Sequence, residues 1–289
     1  MRWAKPAVER VPMLARTYRL VRDGWAAGQP AMPTPMGFRF GGDAAMASGR
    51  FEPEETRIAG RILDRVDVLV NIGANIGYYA CLALQRGRRV VAFEPMPLNV
   101  RTLLRNIDAN GWGPLAEVYP VALGDRVDVL SLYGAGTGAS LVPGWAGNSR
   151  DHATLVPCST LDLALGRRLA GSRCFVIVDV EGAELRVLDG GGAFATMQPR
   201  PVWMVEIAVS EHQPAGITVN PQLSATFDFF RQRGYEARTA DRACRRIEAG
   251  EIERIAAGGP DTLGTHNFLF AEPGALDALL SPDAVPAAA

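Results

Sequence analysis

The chain is poor in the residues that mark the simplest functional classes. Its 289 residues include four cysteines, Cys81, Cys158, Cys174 and Cys244, with no CxxC spacing. That argues against a zinc ribbon or a disulfide framework and favours a reducing compartment. Cys81 and Cys174 lie in apolar segments, where cysteine behaves as a small buried hydrophobe. No stretch reaches the ~18 to 20 uncharged apolar residues of a membrane span. The opening Met1-Arg-Trp-Ala-Lys-Pro is not followed by a secretory apolar core. Neither sign of charge dominates: 30 Lys+Arg stand against 31 Asp+Glu, a net charge of −1. There is therefore no basic field for nucleic acid, and the runs Arg86 to Arg89 and Arg242 to Arg246 read as solvated helix ends. No internal repeat is present. The expectation is a soluble, cytoplasmic protein that acts on a small molecule.

What is present suffices for a large core, since 48% of the residues are hydrophobic. Residues 1–64 are mixed, with a helix expected over Val8 to Trp25, a loop over Gly28 to Gly42 and a helix over Pro53 to Leu63. From Val66 the pattern alternates. Strands are expected at Val66–Val70, Arg89–Phe93 and Glu117–Ala122, with helices at Ile76–Arg86 and Pro97–Asn110 between them. Two extra strands, Val127–Tyr133 and Thr154–Ser159, bracket a Gly- and Ser-rich stretch. Alternation resumes with helix Leu161–Leu169, strand Cys174–Asp179, helix Ala183–Leu188, strand Pro201–Glu206 and helix Pro221–Arg233. Strands Tyr235–Thr239 and Asn267–Ala271 close the pattern, with Arg245–Ile255 unassigned between them.

Such alternation implies a doubly wound, Rossmann-like α/β sheet, mostly parallel, with an antiparallel strand near the C-terminus. The expected organisation is a helical N-terminal extension over 1–64, a ligand-binding domain over 65–275 and a loose tail over 276–289.

Ligands of such sheets bind at the turn after the first strand. Here that turn reads Asn71-Ile-Gly-Ala-Asn-Ile-Gly77. Dinucleotide sites carry G-x-G-x-x-G, but Asn75 occupies the place of the middle glycine and Tyr78 that of the next position, a poor fit to a pyrophosphate. The second strand ends in Glu94-Pro95, about 20 residues beyond Gly73, the offset at which an acid grips ribose hydroxyls. A glycine corner with a ribose acid implies a nucleoside ligand, S-adenosylmethionine rather than NAD.

At these residues the sequence resembles the FkbM-like methyltransferases. The matching words are Gly73-Ala-Asn-Ile-Gly-Tyr-Tyr79, Phe93-Glu-Pro95, Asn99 with Asn106 and Asn110, Ala122-Leu-Gly-Asp125 and Asp179-Val-Glu-Gly-Ala-Glu184. The resemblance covers about Glu52 to Ala271. It implies dependence on S-adenosylmethionine and methyl transfer to a hydroxyl of a sugar, glycolipid, polyketide-like molecule or other secondary metabolite. It also implies that Asn71, Gly73, Ala74, Asn75, Gly77 and Tyr78 face the methionine part of the cofactor and Glu94-Pro95 the ribose. Ala122 and Asp125 would lie at the adenine, and Ser140 ends a small-residue segment, Gly136–Ser140, that the family places near its acceptor. Trp145 is a candidate wall for a ring of the acceptor. Two positions depart from the family pattern: Asn71 replaces a usual aspartate, and Ile177 replaces a usual lysine.

At the reacting end, Asp179, Glu181 and Glu184 follow the fourth strand of the expected sheet and Glu206 ends the fifth. These acids suit three roles: taking the acceptor's proton, positioning it, or holding a divalent cation such as Mg, with Asp179 and Glu206 as ligands. Capping of the following helix is a further reading for Glu184. His212 is another candidate base, ahead of His152 and His266. An NAD-dependent oxidoreductase and a non-catalytic cofactor-binding protein remain as alternatives. The first ~50 residues are candidates for a lid or a dimer contact, so a homo-oligomer is compatible with the sequence.

Overall fold

The computed structural model describes residues 28, 30–151 and 153–281. The helix expected over Val8 to Trp25 lies outside the described residues, as do His152 and residues 282–289. The described chain begins with a small hairpin, β1 (Met32–Pro33) and β2 (Arg39–Phe40), where the sequence suggests only a loop. Helix α1 (Ala44–Ala47) is started by the Asp43 side chain, and α2 (Pro53–Leu63) has proline in its first turn.

The main sheet begins with β3 (Val68–Ile72), followed by α3 (Tyr78–Gln85), β4 (Arg89–Phe93), α4 (Pro97–Asp108) and β5 (Ala116–Tyr119). β3 starts two residues later than its β-branched run suggests and takes in Asn71, which is buried in mid-sheet rather than standing on the turn. The strand expected over Glu117–Ala122 divides at Pro120, which lacks the N–H a ladder needs. Beyond it β6 (Ala122–Leu123), β7 (Asp128–Tyr133) and β8 (Ala153–Ser159) form a separate three-stranded sheet in the order β6-β8-β7. Then come α5 (Leu161–Leu165), stopped at Gly166, β9 (Cys174–Val178), α6 (Glu184–Asp189), β10 (Val202–Glu206) and α7 (Leu223–Arg231). The unassigned stretch holds β12 (Arg246–Ile247) and α8 (Ala249–Ala256), between β11 (Glu236–Thr239) and β13 (Asn267–Ala271).

The eight strands of the main sheet run in the order β12-β11-β13-β10-β9-β3-β4-β5. The five from β10 to β5 are mutually parallel, and β13 is antiparallel to β10. The order reverses between β3 and β9, the crevice in which ligands of such sheets lie. Alternate residues of each strand face opposite layers. Val68, Val70 and Ile72 join the layer of α5 to α8. Leu69, Ile177 and Met204 join the layer of α2, α3 and α4. Phe38, Phe40 and Met46 pack in that second layer as well, so the segment before residue 65 shares the sheet's core. Where the sequence suggests a loose tail from 276, Ala275–Leu280 forms a helix, α9. Its Leu276 is buried, and Arg61 donates from Nη1 to the Leu280 carbonyl at 2.9 Å.

The antiparallel end is held by aromatic packing. Phe230 of α7 stacks on Phe270 of β13 with centroids 3.9 Å apart and meets Trp203 edge-on at 5.6 Å. Phe230→Ala is expected to cost about 3–5 kcal/mol, read as a lower urea midpoint at unchanged slope. A loss under about 1 kcal/mol would show that this stack is not what closes the sheet.

Candidate functional site

A cavity opens at the carboxyl ends of β3, β4 and β9. Its walls come from the corner residues Gly73 and Asn75, from Phe93, Glu94 and Pro95, and from Asn99 at the start of α4. The small sheet and its Gly-rich connection add Ala122, Leu132, Gly136, Thr137, Ala139 and Leu141, and Asp179, Val180 and Glu181 close the far end.

The corner is built around Glu94. Its Oε2 accepts from the Asn75 backbone N–H at 2.8 Å, and its Oε1 accepts from the Met96 N–H at 2.9 Å and the Asn99 amide at 3.2 Å. Glu94 is 5% exposed, and burial pushes its pKa up to about 7 against the opposing pull of those donors. A carboxylate offers about four lone-pair sites, so three donors leave acceptor capacity for a ligand hydroxyl.

The remaining corner amides are engaged within the protein. Gly73 and Ala74 both donate to the Phe93 carbonyl at 2.9 Å, Ile76 donates to the Asn75 side chain at 2.8 Å, and Gly77 donates to the Ala74 carbonyl at 2.9 Å. No N–H from Gly73 to Gly77 is left to cradle a phosphate, which is the use a dinucleotide fold makes of this turn.

The two glycines answer packing demands. Gly73 has φ +77°, and a Cβ there would stand 1.7 Å from the backbone oxygen of Asp179. Its missing side chain is what lets the end of β9 close on the corner. Gly77 has φ +93°, and a Cβ would meet Leu103 of α4 at 2.3 Å. Gly77 therefore joins α3 to α4 and does not reach the cavity wall. Ala74 and Tyr78 also turn away from it. The Tyr78 hydroxyl lies 3.2 Å from that of Thr56, and its ring packs edge-on to Phe40 and Phe51.

At the far end, Asp179 extends β9, its N–H donating to the Ile72 carbonyl at 3.0 Å. Its carboxyl is hydrogen-bonded to that of Glu206 on the adjacent β10, and burial raises both well above the usual carboxylate range, aided by the charge of Glu181 at Asp179 and by that of Asp179 at Glu206. Two acids so placed share one proton. Glu52, before α2, adds to this field and accepts from the Tyr79 hydroxyl at 2.6 Å. Glu181 adopts φ +55°; its backbone oxygen accepts from Ser140 Oγ at 2.5 Å and its Oε2 from the Trp145 indole at 2.7 Å.

Several sequence-nominated residues take other roles. Ser140 is fully buried and serves Glu181, off the cavity wall. Trp145 is 3% exposed, packed over Gly182 and edge-on to His212, so it offers no open stacking face. Asp125 lies outside the cavity, ion-paired with Arg126 and Arg186 at 3.1 Å. Glu184 accepts from the Gly182 N–H at 2.8 Å and so serves the helix start. His212 and His266 are exposed; both draw down the pKa of Glu181, which burial raises.

The two departures from the expected family words are direct neighbours. Asn71 and Ile177 are register partners in the β3–β9 ladder, on the same face. An acid and a base at these positions would pair, and this chain replaces both with uncharged residues. Asn71 is 2% exposed and its Oδ1 has no partner among the described residues. Asn267, at the head of β13, is opposite Glu206 in register, 5% exposed, with its Nδ2 likewise unpartnered. The only sequence signal for Asn267 is a polar residue heading the apolar run Phe268–Ala271; Glu52 carries none, since it reads as a helix boundary.

The profile of the methyltransferase FkbM domain matches residues 71–237. No curated protein shows a significant match. Among solved structures, methyltransferase FkbM from Methylobacillus flagellatus KT is similar at 15% identity and a TM-score of 0.43, over 89% of this chain and 60% of that one. The chain thus spans less than two thirds of that protein's length. A putative O-methyltransferase from Klebsiella pneumoniae shows 10% identity and a TM-score of 0.45, over 89% and 88% of the two chains. An O-methyltransferase from Bacillus cereus, solved in complex with SAH, shows 11% identity and a TM-score of 0.43, over 76% and 80%. The profile spans more than half of the chain and runs from the corner through the acid-bearing ends of β4, β9 and β10, so this protein belongs to the FkbM methyltransferase family.

Proposed function

We propose that the protein moves a methyl group from S-adenosylmethionine to a hydroxyl of a small molecule, a sugar or a secondary metabolite. The observation that carries this reading is Glu94, a buried carboxylate on the cavity wall with acceptor capacity in reserve beside apolar walls. Ribose hydroxyls are donors and suit Glu94, while Phe93, Ala122 and Leu132 suit a purine. The engaged corner amides weigh against a pyrophosphate, and hence against NAD.

The bound donor supplies a methyl group on a cationic sulfur. The rest of the work belongs to the chain. Gly73 and Asn75 border the region next to Asp179, and Asn71 stands behind them with a free acceptor oxygen. An alcohol is a weak nucleophile, so a base near its oxygen is required. The Asp179–Glu206 pair is suited to that task, because its ionised member can accept a proton from the acceptor hydroxyl. Glu181, pinned by Trp145 and Ser140, borders the same end of the cavity.

Titration calorimetry with S-adenosylhomocysteine is expected to give one site per chain. Glu94→Gln should lose about 1.5–3 kcal/mol of that binding, roughly 10- to 150-fold. Folded wild-type protein with no uptake, or equal uptake by the variant, would contradict the reading.

The pKa of Glu94 sets a pH dependence. In the folded chain it titrates at about 7 rather than at its ordinary 4.5, so the folded state binds the extra proton between those values. Its contribution to stability is then present below about pH 4.5 and lost as pH rises through about 7. Hydroxyl donors prefer the ionised form, so S-adenosylhomocysteine should bind more tightly on going from about pH 6 to about pH 8. Glu94→Gln should remove that Glu94-linked part of the change.

Asp179→Asn should leave S-adenosylhomocysteine binding within about threefold and lower methyl release, across a panel of sugars and polyketides, by about 10²- to 10⁴-fold. Retained turnover would assign the base elsewhere.

A further inference from the structure

The reacting end gathers more carboxyl groups than a single general base requires. Asp179, Glu206, Glu52 and Glu181 come from three separate parts of the chain; Glu52 and Glu181 raise the pKa of both Asp179 and Glu206, and Asp179 raises that of Glu206. None of the four forms an ion pair with a lysine or arginine among the described residues. Glu52 and Glu206 do not line the cavity assigned to the donor, although both act on Asp179, which does.

A second observation points to a ligand there. Asn267 is directly opposite Glu206 in the β10–β13 ladder, so the two side chains leave the sheet side by side on one face. Asn267 is 5% exposed, yet its Nδ2 has no acceptor among the described residues. A buried amide left in that state costs free energy, which an arriving oxygen would recover. The edge therefore offers carboxyl groups without a lysine or arginine partner, Glu181 alone having His212 and His266 near it, and beside Glu206 an N–H in want of an acceptor.

The cation is better met by an ammonium than by a metal. Among the described residues no group of three or more acid, histidine or cysteine side chains is spaced to hold a metal ion. The acids are instead linked to protein donors or to one another, as Glu52 is to Tyr79 and Glu181 to Trp145. That leaves dispersed oxygens, which suit a charge able to donate in several directions.

We propose that the acceptor is an amino alcohol, of the amino-sugar type, with its protonated amine seated on Glu206 and Asp179 within the field of Glu52, and a neighbouring oxygen accepting from Asn267. The proposal rests on the methyltransferase reading and narrows its substrate class. Glu52 and Asn267 both lie outside residues 71–237, so the segments flanking the family domain set the charge of the acceptor.

The test uses the full chain saturated with S-adenosylhomocysteine and titrated with glucosamine, N-acetylglucosamine or glucose, with ethanolamine against ethylene glycol as a minimal pair. Glucosamine and ethanolamine are expected to bind at least about tenfold more tightly than their uncharged counterparts, a difference of about 1.4 kcal/mol. Glu206→Gln should abolish the amine preference at nearly constant side-chain volume. Asn267→Ala should weaken glucosamine and leave S-adenosylhomocysteine binding unchanged. Equal binding of charged and uncharged members, binding of neither, or an amine preference that survives both substitutions would overturn the proposal. Failure of S-adenosylhomocysteine to bind in the first step would instead count against the methyltransferase reading. A preference that appears only without it would assign the ammonium site to the donor's own amino group and overturn the acceptor claim.

Discussion

The Glu94 carboxylate ties together two turns that the chain leaves at adjacent strand ends. One oxygen holds the backbone of Asn75 after β3, and the other holds Met96 and Asn99 at the start of α4. The group is buried and has no cationic partner among the described residues, so its ionised form depends on these donors and on whatever a ligand adds. The rest of this end of the cavity follows from that one bond set. With Asn75 drawn to Glu94 and Gly73 and Ala74 turned to the Phe93 carbonyl, the corner is closed to phosphate and presents a carboxylate instead.

The second constraint is steric. Because Gly73 has no side chain, the backbone of Asp179 approaches the corner at a distance that any Cβ would forbid. That approach brings the acid-bearing ends of β9 and β10 next to the cavity that Glu94 commands. The Glu94 end and the Asp179 end of the cavity are thus parts of a single packing solution at the point where strand order reverses. The uncharged pair Asn71 and Ile177 lies beneath it in the same ladder. Replacing both members of a would-be ion pair avoids leaving either charge alone in a buried sheet, which is the costly arrangement.

Much of this was legible in the sequence, for physical reasons. The doubly wound sheet shows in the alternation of β-branched runs with helical segments, and Arg89–Phe93, Pro53–Leu63 and Asn267–Ala271 have the bounds expected of them. Glu94, Asp179 and Glu206 stand out because each charge ends an apolar run. The failures share a cause, which is that local pattern does not report what lies opposite. Gly77 and Tyr78 belong to the glycine word, yet one faces Leu103 and the other Thr56. Trp145 sits in a flexible-looking stretch but is buried against Gly182. Glu52 and Asn267 reach the reacting end through tertiary packing and antiparallel register, at sequence separations no motif spans.

The central claim is that the glycine corner and Glu94 together cup the adenosyl portion of the methyl donor. A crystal structure of the protein with S-adenosylhomocysteine tests it most directly. The account predicts the ribose hydroxyls within hydrogen-bonding distance of Glu94, the purine against Phe93, Ala122 and Leu132, and the sulfur facing Asp179. A nucleoside bound away from Glu94, or one whose ribose makes no contact with that carboxylate, would contradict it.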